Sequence, residues 1–409
     1  MGTQGGDEVF NGGRMRALFT CQPGLGHFLP LTPFARALAA AGHDVAFGAP
    51  AAARDAVESH GFHWVLSSVG NDDPEVASLR AKQRELRGFA RQELLYEQIF
   101  GGVTARRAVP DLLALAETWR PDLVVHDSSE FGGIVAAELL GIPHAQVEVH
   151  ATGSRPDTMR MVYEPLQRLR TGFGLPERPI QALIDEYLGL TPFPPSLNAI
   201  GSPVAPTTRF VRVLPADGID TLPAWVGQIG TRPLVYVSLG TTWRLWRGQE
   251  VFADILGGLR GLDVEVVLTV GRDLDPAVLG PQPSTVHIER FLPLGAILER
   301  CSLVLFHGGS GTLTHVVAAG LPMVILPLGA DQPDNAARCA ELGVSRSLDP
   351  ETLAPFAIRD VVLDVLQTPS YRQSAERLRH EFGRLPGIET AVELLERLSR
   401  EKRPIPAAR

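Results

Sequence analysis

The chain has 409 residues and a formal net charge of -8, and 44% of its residues are hydrophobic. A length well above ~250 residues favours two domains, each with its own hydrophobic core. The acidic balance gives no electrostatic reason to bind nucleic acid or an acidic membrane surface. No apolar run approaches the roughly 20 residues needed to span a bilayer.

The amino terminus and the cysteines indicate the cellular compartment. Residues 1–14 are polar and glycine-rich, without the basic end and apolar stretch of a secretory signal, so we expect a disordered tail. Cys21, Cys301 and Cys339 are far apart and lack the spacing of metal ligands. They fit a reducing compartment, and a cytoplasmic protein is therefore expected.

Short apolar segments typical of strands alternate with helical patterns along the chain. The first series is 16–20, 44–48, 122–127 and 145–149, and the second is 234–240, 264–270, 303–308 and 323–328. Near-continuous apolar strands that alternate with helices predict parallel sheets covered on both faces. The expected fold class is α/β, with two doubly wound, Rossmann-like domains that face each other across a cleft.

A proline-rich region, residues 190–230, separates the two series and is typical of an extended linker. The predicted divisions are an N-terminal domain (15–212), a linker (213–230), a C-terminal domain (231–386) and a final helical segment (387–409). That last segment could fold back across the first domain. The segments 70–107 and 151–200 interrupt the first series and are candidate lids or pocket walls.

The stretch HGGSGT, His307 to Thr312, joins an apolar strand to a helical pattern. Open α/β sheets bind ligands beyond the carboxyl ends of their strands. Free N–H groups and the dipole at a helix start favour a phosphate, and glycines allow a close approach. Taken alone, the stretch fits an ordinary tight turn equally well.

Other strand ends of the same half could meet the same ligand. SLGTT (238–242) adds hydroxyl groups, and Asp331 and Gln332 are suited to sugar hydroxyls. Phe291 could stack on a flat ring, next to the backbone of Leu292. Groups for a phosphate, hydroxyls and a flat ring together indicate a sugar nucleotide.

The segment FHGGSGTLTHVVAAGLPMVILPLGADQPDNA resembles the donor signature of family 1 glycosyltransferases with the GT-B fold, and PGLGHFLPLTPFARALAAAGHDV is similar to that family's opening segment. The nearest resemblance is to actinobacterial enzymes that decorate polyketides, enediynes, macrolides and other natural products. The resemblance implies that Thr241, His307, Gly309, Ser310, Gly311 and Thr312 hold the diphosphate. It also implies that Phe291 stacks on the base, that Leu292 contacts the base through its backbone, and that Asp331 and Gln332 bind the sugar.

His27 follows the first strand, within PGLGHFLP. From the residues alone, the favoured role of a histidine there is to cap a helix that starts at Phe28. The resemblance implies that His27 is the base that takes the proton of the acceptor, a role suited to an imidazole. The resemblance also implies that an aspartate pairs with this base, and Asp127, at the end of a later strand, is the residue that fits this role. Asp127 could instead cap a helix that begins near Glu130.

The implied reaction is a single inverting displacement without a metal or another cofactor. Its partners are a nucleotide sugar and a small hydrophobic acceptor. The helix start at Ser310 is placed to stabilise the charge on the departing diphosphate. RDLD (272–275) contains a D-x-D pattern, which we interpret as a solvated turn rather than a metal site. His126 points to the opposite face from Asp127 in a regular strand and is the weaker candidate.

Two departures from the family pattern bear on the nucleotide. His315 stands where many UDP-using relatives have a ribose-binding glutamate, and Leu294 stands where many have a glutamine. Both changes remove groups suited to a ribose, so we predict a dTDP-sugar donor. The alternative is that His315 replaces one ribose contact by another.

The acceptor side has no comparable motif. Phe89, Tyr96 and Phe100 would share one face of a helix. They could be core contacts or part of a hydrophobic acceptor pocket. Two other functions remain open at this stage: a sugar-nucleotide 2-epimerase on the same fold, and a catalytically silent nucleotide-sugar-binding helper.

Overall fold

The computed structural model describes residues 13–86, 88–153, 156–179, 186–202, 204–214, 221–240, 249–272 and 274–407, without the side chains of 156–159. Its strands form two separate sheets in which every recorded pairing is parallel. The expected α/β architecture with two doubly wound sheets is confirmed.

The first sheet has the strand order β3-β2-β1-β4-β5-β6-β7. Its strands are β1 Arg16–Thr20, β2 Asp44–Ala49, β3 His63–Leu66, β4 Leu123–Asp127, β5 His144–Val147, β6 Gly189–Thr191 and β7 Thr208–Phe210. Its helices are α1 Leu25–Phe28, α2 Thr32–Ala40, α3 Arg54–Ser59, α4 Pro74–Glu85, α5 Gly88–Leu94, α6 Ala105–Trp119, α7 Gly132–Leu140 and α8 Pro156–Gly172. A π-helical segment, Leu95–Thr104, joins α5 to α6.

The second sheet has the order β10-β9-β8-β11-β12-β13. Its strands are β8 Leu234–Ser238, β9 Glu265–Thr269, β10 Val286–Glu289, β11 Leu303–Phe306, β12 Met323–Ile325 and β13 Ser345–Ser347. Its helices are α9 Glu250–Leu259, α10 Leu294–Leu298, α11 Ser310–Ala319, α12 Gln332–Glu341, α13 Pro355–Gln367, α14 Pro369–Gly383 and α15 Ile388–Glu401. The central strands of both sheets are almost wholly buried, as apolar strands covered on two faces should be.

The proline-rich region differs from the sequence-based interpretation. Its first part is not a linker, because β6 and β7 extend the first sheet beside β5. The prolines are compatible with this role because they lie between the short strands rather than within them.

Helix α15 packs on the first domain, although it follows the second in the chain. Its apolar side chains Ala391, Leu395 and Leu398 join the core that contains α2. His43 Nε2 lies 2.9 Å from Glu396 Oε1 at the same contact. Within the described residues, no helix combines the length and apolarity needed to cross a membrane.

The two domains meet where the carboxyl ends of their strands face each other. Ala151, after β5, donates its N–H to Ser310 Oγ at the start of α11 at 2.8 Å. Elsewhere, the backbone of Ser196 accepts from Arg338 Nε at 2.9 Å and donates to Glu381 Oε1 at 2.9 Å. These contacts place the ends of β1, β4 and β5 opposite the start of α11.

Candidate active site

His27 and Asp127 meet at the carboxyl edge of the first sheet. β1 and β4 are adjacent parallel strands, so the residues that follow them emerge side by side. His27 Nδ1 lies 3.3 Å from Asp127 Oδ2. The distance suits an ion pair, but Nδ1 has no hydrogen bond of good alignment. Such contacts are often loose in unliganded enzymes and tighten when substrate binds.

Asp127 is held as a carboxylate. It is completely buried, and its two oxygens accept the N–H groups of Gln22 at 2.7 Å and Ser129 at 2.6 Å. Burial alone would raise the pKa of this carboxyl. His27 and the two backbone donors outweigh burial and lower the pKa below its ordinary value. A partner that is negatively charged at neutral pH therefore faces the imidazole of His27.

Both helix-capping alternatives are wrong. α1 begins at Leu25, so His27 lies inside this short helix. The first N–H groups of α7 are satisfied by Glu130, one residue before the N-cap Phe131: its carboxylate accepts the N–H groups of Gly132 and Gly133 at 2.7 and 2.8 Å. Burial raises the pKa of Glu130 to about 7, although these bonds and Thr20 oppose the shift.

His126 lies away from the cleft. Its Nε2 is 3.0 Å from His144 Nδ1, and its side chain is fully buried. Burial lowers the pKa of His126 to about 4, so the ring is neutral at ordinary pH. His126 therefore packs in the buried interior of the first domain. Asp127, and not His126, faces His27.

Gly309 of HGGSGT and Gly240 of SLGTT make room for the ring of His307. A Cβ on Gly309 would lie 2.4 Å from His307 Nε2, and one on Gly240 would lie 2.7 Å from its Cε1. Real Cβ atoms do not approach so closely, so the imidazole fits only between two glycines. Burial lowers the pKa of His307 to about 4 despite Asp331 and the backbone of Ser238. The ring is neutral and can donate one hydrogen bond.

Ser310 and Asp331 bind each other through a network at the start of α11. Ser310 Oγ donates to Asp331 Oδ2 at 2.5 Å, while it accepts the N–H of Ala151. Asn335 Nδ2 lies 2.9 Å from Asp331 Oδ2 and 2.9 Å from the carbonyl of Gly308. Asn335 is fully buried and organises this network. It lies within the donor-signature segment, but no role was assigned to it from the sequence.

The remaining residues at the turn are more open. Gly311 is exposed, and nothing lies within 4 Å of a Cβ placed on it, so a ligand can approach its backbone closely. Thr312 is half-buried in the first turn of α11. Thr241 belongs to segment 241–248, which lies outside the described residues.

Gln332 supports the loop that carries Asp331. Its side chain is buried, and its Oε1 accepts the N–H groups of Leu328 at 2.7 Å and Gly329 at 3.1 Å. Phe291 is half-buried, with the guanidinium of Arg272 4.8 Å from its ring centre. Leu292, the next residue, is buried.

The π-helical segment brings an aromatic side chain to the proposed base. The ring centre of Phe100 lies 5.7 Å from that of His27 in an edge-on arrangement, and Tyr96 packs on Phe100 at 5.6 Å. Phe89 does not join them, because it is 53% exposed on α5. The regular helical spacing assumed for these three residues fails because the wider π-helix intervenes.

The comparisons with known proteins agree with this fold. Family models described as erythromycin biosynthesis protein CIII-like match an N-terminal domain over residues 36–240 and a C-terminal domain over 253–398. Tylactone mycaminosyltransferase from Streptomyces fradiae is 31% identical, covering 94% of this chain and 92% of its own. The 10-deoxymethynolide desosaminyltransferase from Streptomyces venezuelae is 30% identical, covering 96% and 99%.

A solved structure, glycosyltransferase VinC in complex with dTDP, superposes with a TM-score of 0.76 at 26% identity, covering 95% of this chain and 100% of VinC. The chain belongs to the erythromycin biosynthesis protein CIII-like family of natural-product glycosyltransferases, with the GT-B fold.

Proposed function

We propose that the protein transfers a sugar, typically a deoxysugar, from a dTDP-sugar to a hydrophobic natural-product aglycone, with inversion at the anomeric carbon. The observation that carries the proposal is the contact of His27 with the buried, charged Asp127, directly across the cleft from the start of α11. The relatives named for mycaminosyl and desosaminyl transfer support the acceptor and sugar classes.

His27 acts as the base in this proposal. Because Nδ1 faces Asp127, Nε2 is the nitrogen that receives the proton of the acceptor hydroxyl. The oxygen then attacks C1 of the sugar from the face opposite the diphosphate. Asp127 stabilises the imidazolium that forms and fixes the tautomer that precedes it.

The start of α11 stabilises the departing diphosphate. Its free N–H groups and helix dipole are aimed at the charge that grows on the leaving oxygen. His307, Gly309, Ser310, Gly311 and Thr312 are the proposed diphosphate contacts, and Thr241 is proposed to assist them. Since these groups supply the stabilisation, the proposal requires neither a metal nor another cofactor.

The proposed sugar and base contacts come from the second domain. Asp331 binds sugar hydroxyls once the donor displaces its bond with Ser310, and Gln332 is proposed to assist. Phe291 stacks on the base, backed by Arg272, and Leu292 contributes its backbone.

The donor is proposed to be a dTDP-sugar. Leu294 packs against the apolar core of the second domain and offers no polar group to a nucleoside. His315, buried on α11, replaces the acidic partner of a ribose. The structure of VinC with dTDP supports the same nucleotide class.

Two measurements with purified protein test the proposal. A mass-spectrometric screen of dTDP- and UDP-sugars against macrolactone and polycyclic aglycones should show a glycosylated product. An epimerised nucleotide sugar without product would overturn transfer. Titration calorimetry should show that dTDP binds at least as tightly as UDP, and a clear preference for UDP would overturn the donor assignment.

A further inference from the structure

The segment after β5 spans the cleft between the proposed base and the proposed diphosphate site. The ring centre of His150 lies 6.3 Å from that of His27. The next residue, Ala151, donates its N–H to Ser310 Oγ. The residue that follows His150 therefore contacts the start of α11 directly, although His150 belongs to the first domain and α11 to the second.

The imidazole of His150 is held in one orientation. Its Nδ1 lies 3.3 Å from Glu148 Oε1 and 3.3 Å from Ser128 Oγ. The same Glu148 oxygen accepts the Ser128 hydroxyl at 2.7 Å and the His150 N–H at 2.9 Å, so the carboxylate is itself fixed. Because Nδ1 is turned to Glu148, Nε2 is the nitrogen directed away from it. The side chain keeps 26% of its surface exposed.

The surroundings of His150 favour the charged form of its imidazole. Burial alone would lower the pKa of its imidazole. Tyr96, Glu148 and Asp331 together outweigh burial, and the pKa is raised well above its ordinary value. His307, within the diphosphate turn, is neutral because burial lowers its pKa to about 4. An imidazole that favours its charged form therefore lies on the segment whose next residue, Ala151, contacts the helix start.

We propose that His150 is a catalytic residue whose Nε2–H donates to the diphosphate of the nucleotide-sugar donor. The inference rests on the proposed function. When His27 takes the proton of the acceptor, the bond from C1 to the phosphate oxygen breaks and its electron pair stays on that oxygen. His150 stabilises this charge and keeps its own proton. A charge-assisted hydrogen bond in a dry site is about twice as strong as a neutral one.

The substitutions His150→Leu and His150→Gln test this role. Leucine fills much of the space of the ring without a donor, whereas glutamine keeps a donor without the charge. Calorimetry should show that dTDP binds about tenfold more weakly to the leucine variant, the usual worth of a hydrogen bond to a charged group. The glutamine variant should fall between it and the wild type. Both should lower kcat with a natural-product acceptor.

Thymidine, which lacks phosphate, separates a direct contact from a structural effect. Its affinity and the melting temperature of the glutamine variant should stay at the wild-type level. His380→Gln, on an exposed position of α14, is the matched control and should change neither ligand. Binding of dTDP and kcat within twofold of the wild type in either His150 variant would overturn the inference. An equal loss for thymidine and dTDP would overturn it too.

A failure of the dTDP-donor proposal can be distinguished from a failure of the His150 proposal. If the wild type prefers UDP, the donor proposal is wrong, and a comparison of UDP with uridine in the same variants then decides the role of His150.

Discussion

The substitution Asp127→Asn removes one charge and one hydrogen-bond acceptor at the centre of the site. Each carboxylate oxygen of Asp127 accepts one backbone N–H, from Gln22 at 2.7 Å and Ser129 at 2.6 Å. Asparagine has one acceptor oxygen, so one of these buried N–H groups would face an amide NH₂. An unsatisfied buried donor costs about 1–3 kcal/mol, and we expect the free energy of unfolding to fall by that amount.

The rate should fall because the imidazolium of His27 loses its counter-charge. A hydrogen bond to a charged group contributes about 1.5–3 kcal/mol, which corresponds to about 10- to 100-fold in kcat. Binding of dTDP should be unchanged, because the start of α11 is untouched. Steady-state assays of glycosylated product give kcat, and urea unfolding gives stability.

The stability effect has a defined pH dependence. Because the pKa of Asp127 is lowered in the fold, its ionised form stabilises the protein above the ordinary aspartate pKa of about 3.9. That contribution is lost as the pH falls through the lowered value. The stability difference between wild type and Asp127→Asn should therefore be constant near neutrality and shrink in acid.

A double-mutant cycle decides whether Asp127 acts through His27. In the background of His27→Ala, Asp127→Asn should lower kcat little further, since the group it stabilises is gone. Fully additive effects on kcat would refute the reasoning.

Four further results are expected. His27→Ala should lower kcat by about 100-fold or more, the usual worth of a general base, with dTDP affinity unchanged in calorimetry; near-normal turnover of an alcohol acceptor would contradict the assignment. Gly309→Ala should weaken dTDP binding, because its Cβ would lie 2.4 Å from His307 Nε2 and displace the ring, and an unaltered affinity would count against this packing. A chelator should leave the transfer rate intact, and strict metal dependence would exclude the metal-free mechanism. Phe100→Ala should raise the KM of the acceptor more than that of the donor; a complex with an aglycone bound far from 85–105 would remove that segment from the acceptor pocket.

The sequence determined the central strands because their signal is local. β1, β4, β8 and β11 are contiguous apolar runs, and the predicted ranges overlap all four. The edge strands β3, β7, β10 and β13, and the short strand β6 beside β7, were not predicted. They have only three or four residues, and four of them are partly exposed, so they lack the apolar run that identifies a buried strand. Their placement depends on pairing with a sheet that is already formed.

The sequence also indicated His27, Asp127 and the HGGSGT turn, because each lies at or shortly after the carboxyl end of a recognisable strand. In parallel sheets the residues after neighbouring strands meet at one edge, so their proximity could be expected. The capping of α7 by Glu130 could not be predicted from the sequence. Asp127 and Glu130 are three residues apart, and either carboxylate could cap the helix. Burial and the direction of the chain after β4 chose between them.

Only the tertiary structure decided the contacts across the cleft. Ala151 and Ser310 are 159 residues apart, and no sequence motif links the two residues. The pair of Glu148 and His150 likewise becomes relevant only because the loop after β5 faces α11. Apolar periodicity and strand-end position are properties of contiguous residues, so the sequence carries them directly. The docking of two sheets is set by the complementarity of whole surfaces, which no short stretch of the chain encodes.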